Sequence, residues 1–547
     1  MGKEKGNEKT KNKITRREAI STVGKVAIGA VIAGAVAGTI GYYTGTQAAP
    51  TTKITITKTI PSTITVTKSI SPVTAVSTVT KTLTKTITTK RVYPTVPEKL
   101  KAFRDKHIEN ILRRLMDEAK AASIDWKQFA GTTITTCIRT GPEADMVLRL
   151  AKMFEKLSGI KVKVDIVPET HQVEKVTADV LEETGIYDVP WLDLYRPVPY
   201  VANHKLEPLE QYIEDPKLTD KEFFKPEGFY PEIWRACNAP PYGEKGEHYF
   251  VPFYWHNHVI HWRRDIFYKY GFSIQDISSF YDVVETARKL NKPEEGFYGF
   301  VARGVVGDSG NMAMFLSWLL GMGADYLDED YKPAFNTPEG IEALKLFVEA
   351  FKYAPPGAAS YHFPEDLTAL AEGKVAMCQE AAIMSPMCWD PTIAKPPALC
   401  NVWMARIPKG PAGRFAGLSG WTYGIPVGAK NKKAAWLWIE FTCSPLGIAA
   451  LNAFKFMIPP RPEIWEDPDF AAILPTSNYK EIKQFSMRFD SHYGDQLSHR
   501  IPEGIEVMYT MSEAVNAAIT GTKTPEEALA WAEERVKEIM RKAGYYK

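Results

Sequence analysis

Between Ile134 and Val189 the apolar pattern of this chain switches repeatedly between a period of two and a period of 3.6 residues. Ile134–Ile138 reads as a strand. A helix follows over Glu143–Leu157 and is closed by Gly159. Ile160–Val167 alternates apolar and polar residues, Val173–Glu183 returns to helical spacing, and Tyr187-Asp188-Val189 opens a third strand. Such an order predicts a mostly parallel sheet covered on both faces. In sheets of that kind ligands sit beyond the carboxyl ends of the strands. Those ends fall at Arg139–Glu143 and Trp191–Tyr195, so Arg139, Glu143, Trp191 and Asp193 become candidate binding residues.

A second informative stretch is Gly417–Pro445. Gly417 and Gly420 suggest a turn that backbone can approach closely. Tyr423–Val427 reads as a short strand, and Asn431–Cys443 as a helix stopped before Pro445. Trp421 and Tyr423 lie where side chains can face a cleft. A flat aromatic ring stacks on the C–H faces of a sugar, and its polar tip can bond a hydroxyl. The alternative is ordinary core packing, which is the role expected of Trp436 and Trp438. Trp389 and Asp390 form a similar pair on a Pro-rich segment. Phe250–Trp255 is an aromatic strand running on through Ile260, and alternation places Trp255 on the face opposite Tyr254 and His256.

Several blocks resemble the extracellular solute-binding proteins of family 1, the maltose-binding-protein-like receptors of ABC importers. Lys430–Pro445 is similar to that family's K-N-K-x-A-A-W helix, and Phe154–Val164 to its F-x-x-x-T-G-I-x-V block. Tyr187–Val189, His204–Leu209, Tyr270–Leu290, Tyr298–Phe300, Ala369–Met377 and Thr524–Ile539 resemble further blocks in the family's order. His204 stands where Gly is usual, and His261-Trp262 replaces the usual Tyr-Asn. The resemblance spans roughly residues 130–547. It implies a two-lobed α/β fold of the periplasmic-binding-protein type II with a multi-strand hinge. Lobe 1 is expected over 130–250 plus 408–458, and lobe 2 over 255–405 plus 462–547, with a linking helix over 97–129. It also implies a receptor that captures a small solute, by family precedent a sugar or oligosaccharide, and passes it to a permease. Trp421, Tyr423, Trp389, Asp390, Trp191, Asp193, Trp255, Glu143 and Arg139 are then the expected ligand contacts. The same fold binding a peptide or another small solute is the first alternative. A stalked adhesion protein is the second, and a glycoside hydrolase the third.

The N-terminus has a different character. Residues 1–22 are Lys-rich and include the pair Arg16-Arg17 just ahead of an apolar run over 23–43. This has the layout of a twin-arginine export signal, and the run is about the length that spans a bilayer. No Cys follows it for a lipid anchor. Within the Thr/Ser-rich segment over 44–96, half of residues 51–90 are Thr or Ser, and no acid occurs between Glu18 and Glu98. That composition predicts an extended stalk rather than a core. A retained anchor and an extracytoplasmic, membrane-tethered location are therefore expected.

Net charge is +2, which gives no reason to expect a nucleic-acid partner. The six Cys lack C-x-x-C spacing and read as buried thiols, with pairing of Cys378 and Cys388 in an oxidising compartment as the alternative. His256 and His258 share a strand face, but His261 points the other way, so no metal site is expected. The only Tyr-Tyr pairs lie at 42–43 and 545–546, against an iron-binding relative. No catalytic motif and no cofactor fingerprint is present, so the chain is expected not to be an enzyme.

Overall fold

The structure is a computed structural model that describes residues 96–141, 143–193, 197–239, 247–307, 309–453, 458–474 and 501–546. The basic segment, the apolar run and most of the Thr/Ser-rich segment lie outside the described residues. The fold described below belongs to the compact unit Glu98–Lys547. Among the described residues no single helix is long and apolar enough to cross a membrane.

Helix α1 (Val96–Ala121) precedes strand β1 (Thr133–Arg139), helix α2 (Ala144–Ser158), strand β2 (Lys161–Val167), helix α3 (Glu169–Glu182) and strand β3 (Trp191–Asp193). The long strand β4 (Val251–Arg263) follows. Next come helix α4 (Phe280–Leu290), strand β5 (Tyr298–Val301) and helices α5 (Asn311–Met322), α6 (Pro338–Phe351) and α7 (Phe363–Ala371). Strands β6 (Val375–Ala381), β7 (Val402–Ala405) and β8 (Leu418–Tyr423) lead to α8 (Lys432–Cys443) and α9 (Pro445–Ala453). Helices α10 (Pro468–Ile473), α11 (Gly504–Ile519) and α12 (Pro525–Lys542) complete the described chain, with shorter helices in the connections.

Strand β4 organises the sheet. Its first half, Val251–Asn257, pairs antiparallel with β8, and β8 pairs in turn with β3. Its second half, His258–Arg263, pairs with β6 and β7. One strand therefore belongs to both lobes, and the crossover lies between Asn257 and His258. Among the described strands, β1 pairs parallel with β2 and β5 with β6. The expected mostly parallel sheet gives way to a mixed one because β4 and β8 enter from long connections and meet their neighbours antiparallel.

Two cores flank this strand. The first collects Val147 and Phe154 of α2 with Trp436, Trp438 and Phe441 of α8. The second packs Phe280, Phe300, Trp318 and Phe347 against Met511 of α11 and Leu529 of α12. Two segments outside the span expected for lobe 1 pack into the first core. Helix α1 is an integral layer of lobe 1, burying Ile108, Ile111, Leu112 and Leu115 in the first core. Residues 462–474, assigned above to lobe 2, also join the first core through Ile464, Trp465, Phe470 and Ile473. His107 Nδ1 and Asn110 Nδ2 reach Asp469 Oδ1 at 2.7 and 3.0 Å, and Arg114 pairs with Asp467 at 2.7 Å. Those contacts tie the segment to α1.

The helix expected over 431–443 forms, and Trp436 and Trp438 are buried. The strand before it runs over 418–423 rather than 423–427. Gly420 is therefore not in a turn. A Cβ there would lie 2.5 Å from the Trp255 ring, so glycine lets β8 pack directly against that indole.

Candidate functional site

Register across three strands assembles the site. Trp421 on β8 pairs with Asp193 on β3 and with Tyr254 on β4, so the three side chains share one face. Arg139, at the carboxyl end of β1, lies over that layer. Its guanidinium carbon is 5.3 Å from the Trp421 ring centroid and 5.8 Å from that of Tyr254. Such distances suit cation–π attraction. Arg139 Nε donates to Glu143 Oε1 at 2.7 Å. The Glu143 residue is 1 % exposed, and its Oε2 has no hydrogen-bond partner. Gly141 makes room for it, since a Cβ there would sit 2.6 Å from both carboxylate oxygens.

The structure thus brings together four residues singled out from sequence, namely Arg139, Glu143, Asp193 and Trp421, with Tyr254 as a fifth. Trp191 and Tyr423 continue the aromatic layer inward. Both are buried, and both pack on Phe253, with centroids 4.7 and 4.6 Å away. Trp255 is buried on the opposite face, as strand alternation requires. Trp389 and Asp390 follow a short helix between β6 and β7. Trp389 Nε1 donates to the Val402 carbonyl at 3.1 Å, and Asp390 Oδ1 accepts from Thr392 N and Oγ1.

Lobe 2 supplies a second Arg–Glu pair that sequence reasoning missed. Val301 pairs with Cys378 in the parallel β5–β6 ladder. Two residues further along lie Arg303 and Glu380, again beyond or at the carboxyl ends of parallel strands. Arg303 grips Glu380 in a fork through Nε and Nη2, and its Nη1 donates to the Ser309 carbonyl at 2.6 Å. Glu380 Oε2 also accepts from the Ala381 amide. Burial alone would raise the Glu380 pKa, but the adjacent guanidinium outweighs it and holds the carboxyl below its usual range. The strand-end rule could have found Arg303, which closely follows Tyr298–Phe300. Nothing in the sequence pairs it with Glu380.

His256 and His258 lie on one face of β4 with ring centroids 6.0 Å apart. Burial lowers the His258 pKa to about 3, so the ring is neutral at ordinary pH. His261 faces away and contacts Ser385 Oγ and the Ala381 carbonyl at 2.9 and 3.0 Å. Among the described residues no group of three His, Cys, Asp or Glu could hold a metal ion. The cysteines are free thiols. A separate cavity of 260 Å³, bordered by Arg114, Leu446 and Ile464, shares no residue with this group.

The family model described as bacterial extracellular solute-binding protein matches residues 142–445. The chain belongs to that family. Among relatives of this solute-binding protein is the mannitol-binding protein of Pseudomonas aeruginosa, 26% identical over 428 residues, covering 76% of this chain and 94% of the relative. The erythritol/L-threitol-binding protein of Mycolicibacterium smegmatis is 25% identical over 327 residues, covering 58% of this chain and 68% of the relative. A solved solute-binding protein from Agrobacterium radiobacter K84, in complex with ribitol, superposes with a TM-score of 0.64 at 26% identity. That match covers 75% of this chain and 99% of the other.

Proposed function

We propose that this solute-binding protein captures a sugar or an open-chain polyol between its lobes and presents it to the permease of an ABC importer. The observation that carries this reading is the buried Glu143 carboxylate, with one oxygen held by Arg139 and the other unpartnered beside an aromatic layer. A polyol hydroxyl would donate to that oxygen. Its C–H edges would rest on Trp421 and Tyr254, while Asp193 would accept a further hydroxyl. The mannitol, erythritol/L-threitol and ribitol bound by the relatives belong to this chemical class.

Trp421 and Tyr254 are nearly covered in this conformation, and Arg139 lies over both rings. Opening of the lobes about the Asn257–His258 crossover is the motion that would expose them, and closure would seal the ligand in. Ligand binding then shifts the population toward the closed form. Trp191, Tyr423 and Trp255 support the layer from behind. Trp389 and Asp390 are assigned to the rim of lobe 2. Outside the described residues, the apolar run over 23–43 and the Thr/Ser-rich segment after it are read as a membrane anchor and stalk. Membrane retention of the full chain under alkaline carbonate washing would test the tether, and release would remove it.

The test of the ligand class is calorimetric titration of the full chain with mannitol, ribitol, erythritol and maltose, and with amino acids and short peptides as the other arm. Binding of polyols or sugars, weakened about tenfold in Glu143→Gln, supports the reading. Binding confined to amino acids or peptides would leave the receptor fold and remove the ligand class.

A further inference from the structure

Helix α7 brings a second carboxylate beside the lobe-2 pair, for the Arg303 guanidinium carbon lies 5.7 Å from the ring centroid of Phe363, the first residue of that helix. Asp366, in the first turns of α7, is 0 % exposed, and neither carboxylate oxygen has a hydrogen-bond partner. The charged and titratable groups that act on it or on its immediate neighbours come from four elements. They are Glu380 and Cys378 of β6, Arg303 after β5, His258 and His261 of β4, and Glu365 of α7 itself. His258 is neutral and Cys378 is held as a thiol by burial. One guanidinium therefore acts electrostatically on two buried carboxyl groups. Its fork is already closed on Glu380, and its remaining Nη1 is spent on the Ser309 carbonyl.

A dry site with one cation neutralises one carboxylate. Two like charges beside one another cannot both be kept, so the carboxyl without a partner retains its proton. The N-terminal end of α7 pulls the other way, because a helix start favours negative charge. Full burial and the neighbouring Glu380 outweigh that pull, and they push the Asp366 carboxyl well above the usual range.

We propose that Asp366 is a positioning residue for the cleft wall of lobe 2: as a neutral acid it leaves the Arg303 fork on Glu380, and on ionisation it competes for Arg303 and loosens that pair. The consequence is a receptor whose ligand capture weakens as pH rises. This rests on the reading of the cleft given above, because Arg303 and Glu380 stand at the strand ends that close on the ligand. The helix that carries Asp366 would then transmit a proton signal to the site without touching the ligand.

The experiment compares wild type, Asp366→Asn and Glu440→Gln, all as full chains. Glu440 is a control acid, equally buried but on α8 in the lobe-1 core, where burial also raises its pKa. Mannitol affinity and ligand-free Tm are each measured from about pH 5 to about pH 9, a range in which a neutral His258 does not titrate. Wild type is expected to lose affinity roughly fivefold to tenfold across that range, about the effect of one pKa unit of coupling. Asp366→Asn should abolish that slope and raise the ligand-free Tm only at the alkaline end. Glu440→Gln should alter the Tm profile alone and keep the wild-type affinity slope. An Asp366→Asn protein that retains the wild-type slope overturns the proposal, as does a ligand-free Tm profile parallel to wild type. If mannitol binds to no variant, the ligand reading fails, while flattening of the ligand-free Tm profile still supports the role of Asp366.

Discussion

Each lobe carries an Arg–Glu pair with a buried carboxylate at the ends of its parallel strands, and the two pairs are in different states. In lobe 1 the Arg139 and Glu143 side chains are 18% and 2% exposed, and Glu143 keeps one oxygen unpartnered. In lobe 2 the Arg303 and Glu380 side chains are 8% and 0% exposed, and both Glu380 oxygens are engaged. The same two residue types thus do two jobs. The lobe-1 pair has capacity left for a ligand hydroxyl. The lobe-2 pair is spent on its own structure. On the proposed reading, the open Glu143 oxygen is what separates a ligand-binding pair from a structural one.

The comparison breaks most visibly if the pairs are cut. Arg303→Ala should leave Glu380 as an uncompensated buried charge and cost about 3–5 kcal/mol, read as the midpoint of denaturant unfolding. Arg139→Ala should cost clearly less stability and more affinity, since the Arg139 side chain is itself 18% exposed and water can fill the space it leaves beside Glu143. Equal stability losses would erase the distinction between the lobes. Next in size is Gly420→Ala, whose new methyl would meet the Trp255 ring. The expected cost is about 1–3 kcal/mol by thermal unfolding, and an unchanged Tm would show that β8 can slide away from the indole.

A pH series sharpens the contrast further. Asp366, raised by burial, favours the folded state fully below its unfolded value of 3.8, and this contribution is lost as pH rises through its folded value. Glu380 is lowered by Arg303 despite its burial. It therefore contributes above its unfolded value of 4.5, and its share is lost as pH falls through the folded one. The cluster should give a stability maximum on the acid side of neutrality, and Asp366→Asn should remove the alkaline descent. The smallest effect is expected at the α1 clamp. Asp469→Asn should lower stability by about 1 kcal/mol in urea and leave ligand affinity unchanged.

Much of lobe 1 was legible in the sequence because its signals are local. The helix expected over 143–157 spans 144–158, and the strand expected over 160–167 spans 161–167. The strand-end rule pointed to Arg139, Glu143 and Asp193 directly. Lobe 2 was less legible because its site groups meet only through pairing. Arg303 and Glu380 are 77 residues apart, joined by the β5–β6 register. Asp366 arrives on a helix whose sequence reads as an ordinary first turn. The core that residues 462–474 join was hard to read for a related reason. Ile464, Trp465 and Phe470 carry no period that tells which core they enter, and the acids Asp467 and Asp469 disclose their partners on α1 only in the fold.

The decisive measurement is the affinity of the full chain for mannitol and ribitol by titration calorimetry, for wild type beside Glu143→Gln. Wild type should bind at least one of them, and the amide variant should bind about tenfold more weakly, roughly 1.4 kcal/mol, with little change in Tm. Equal affinity in both proteins would contradict the assignment of the unpartnered Glu143 oxygen as the ligand acceptor.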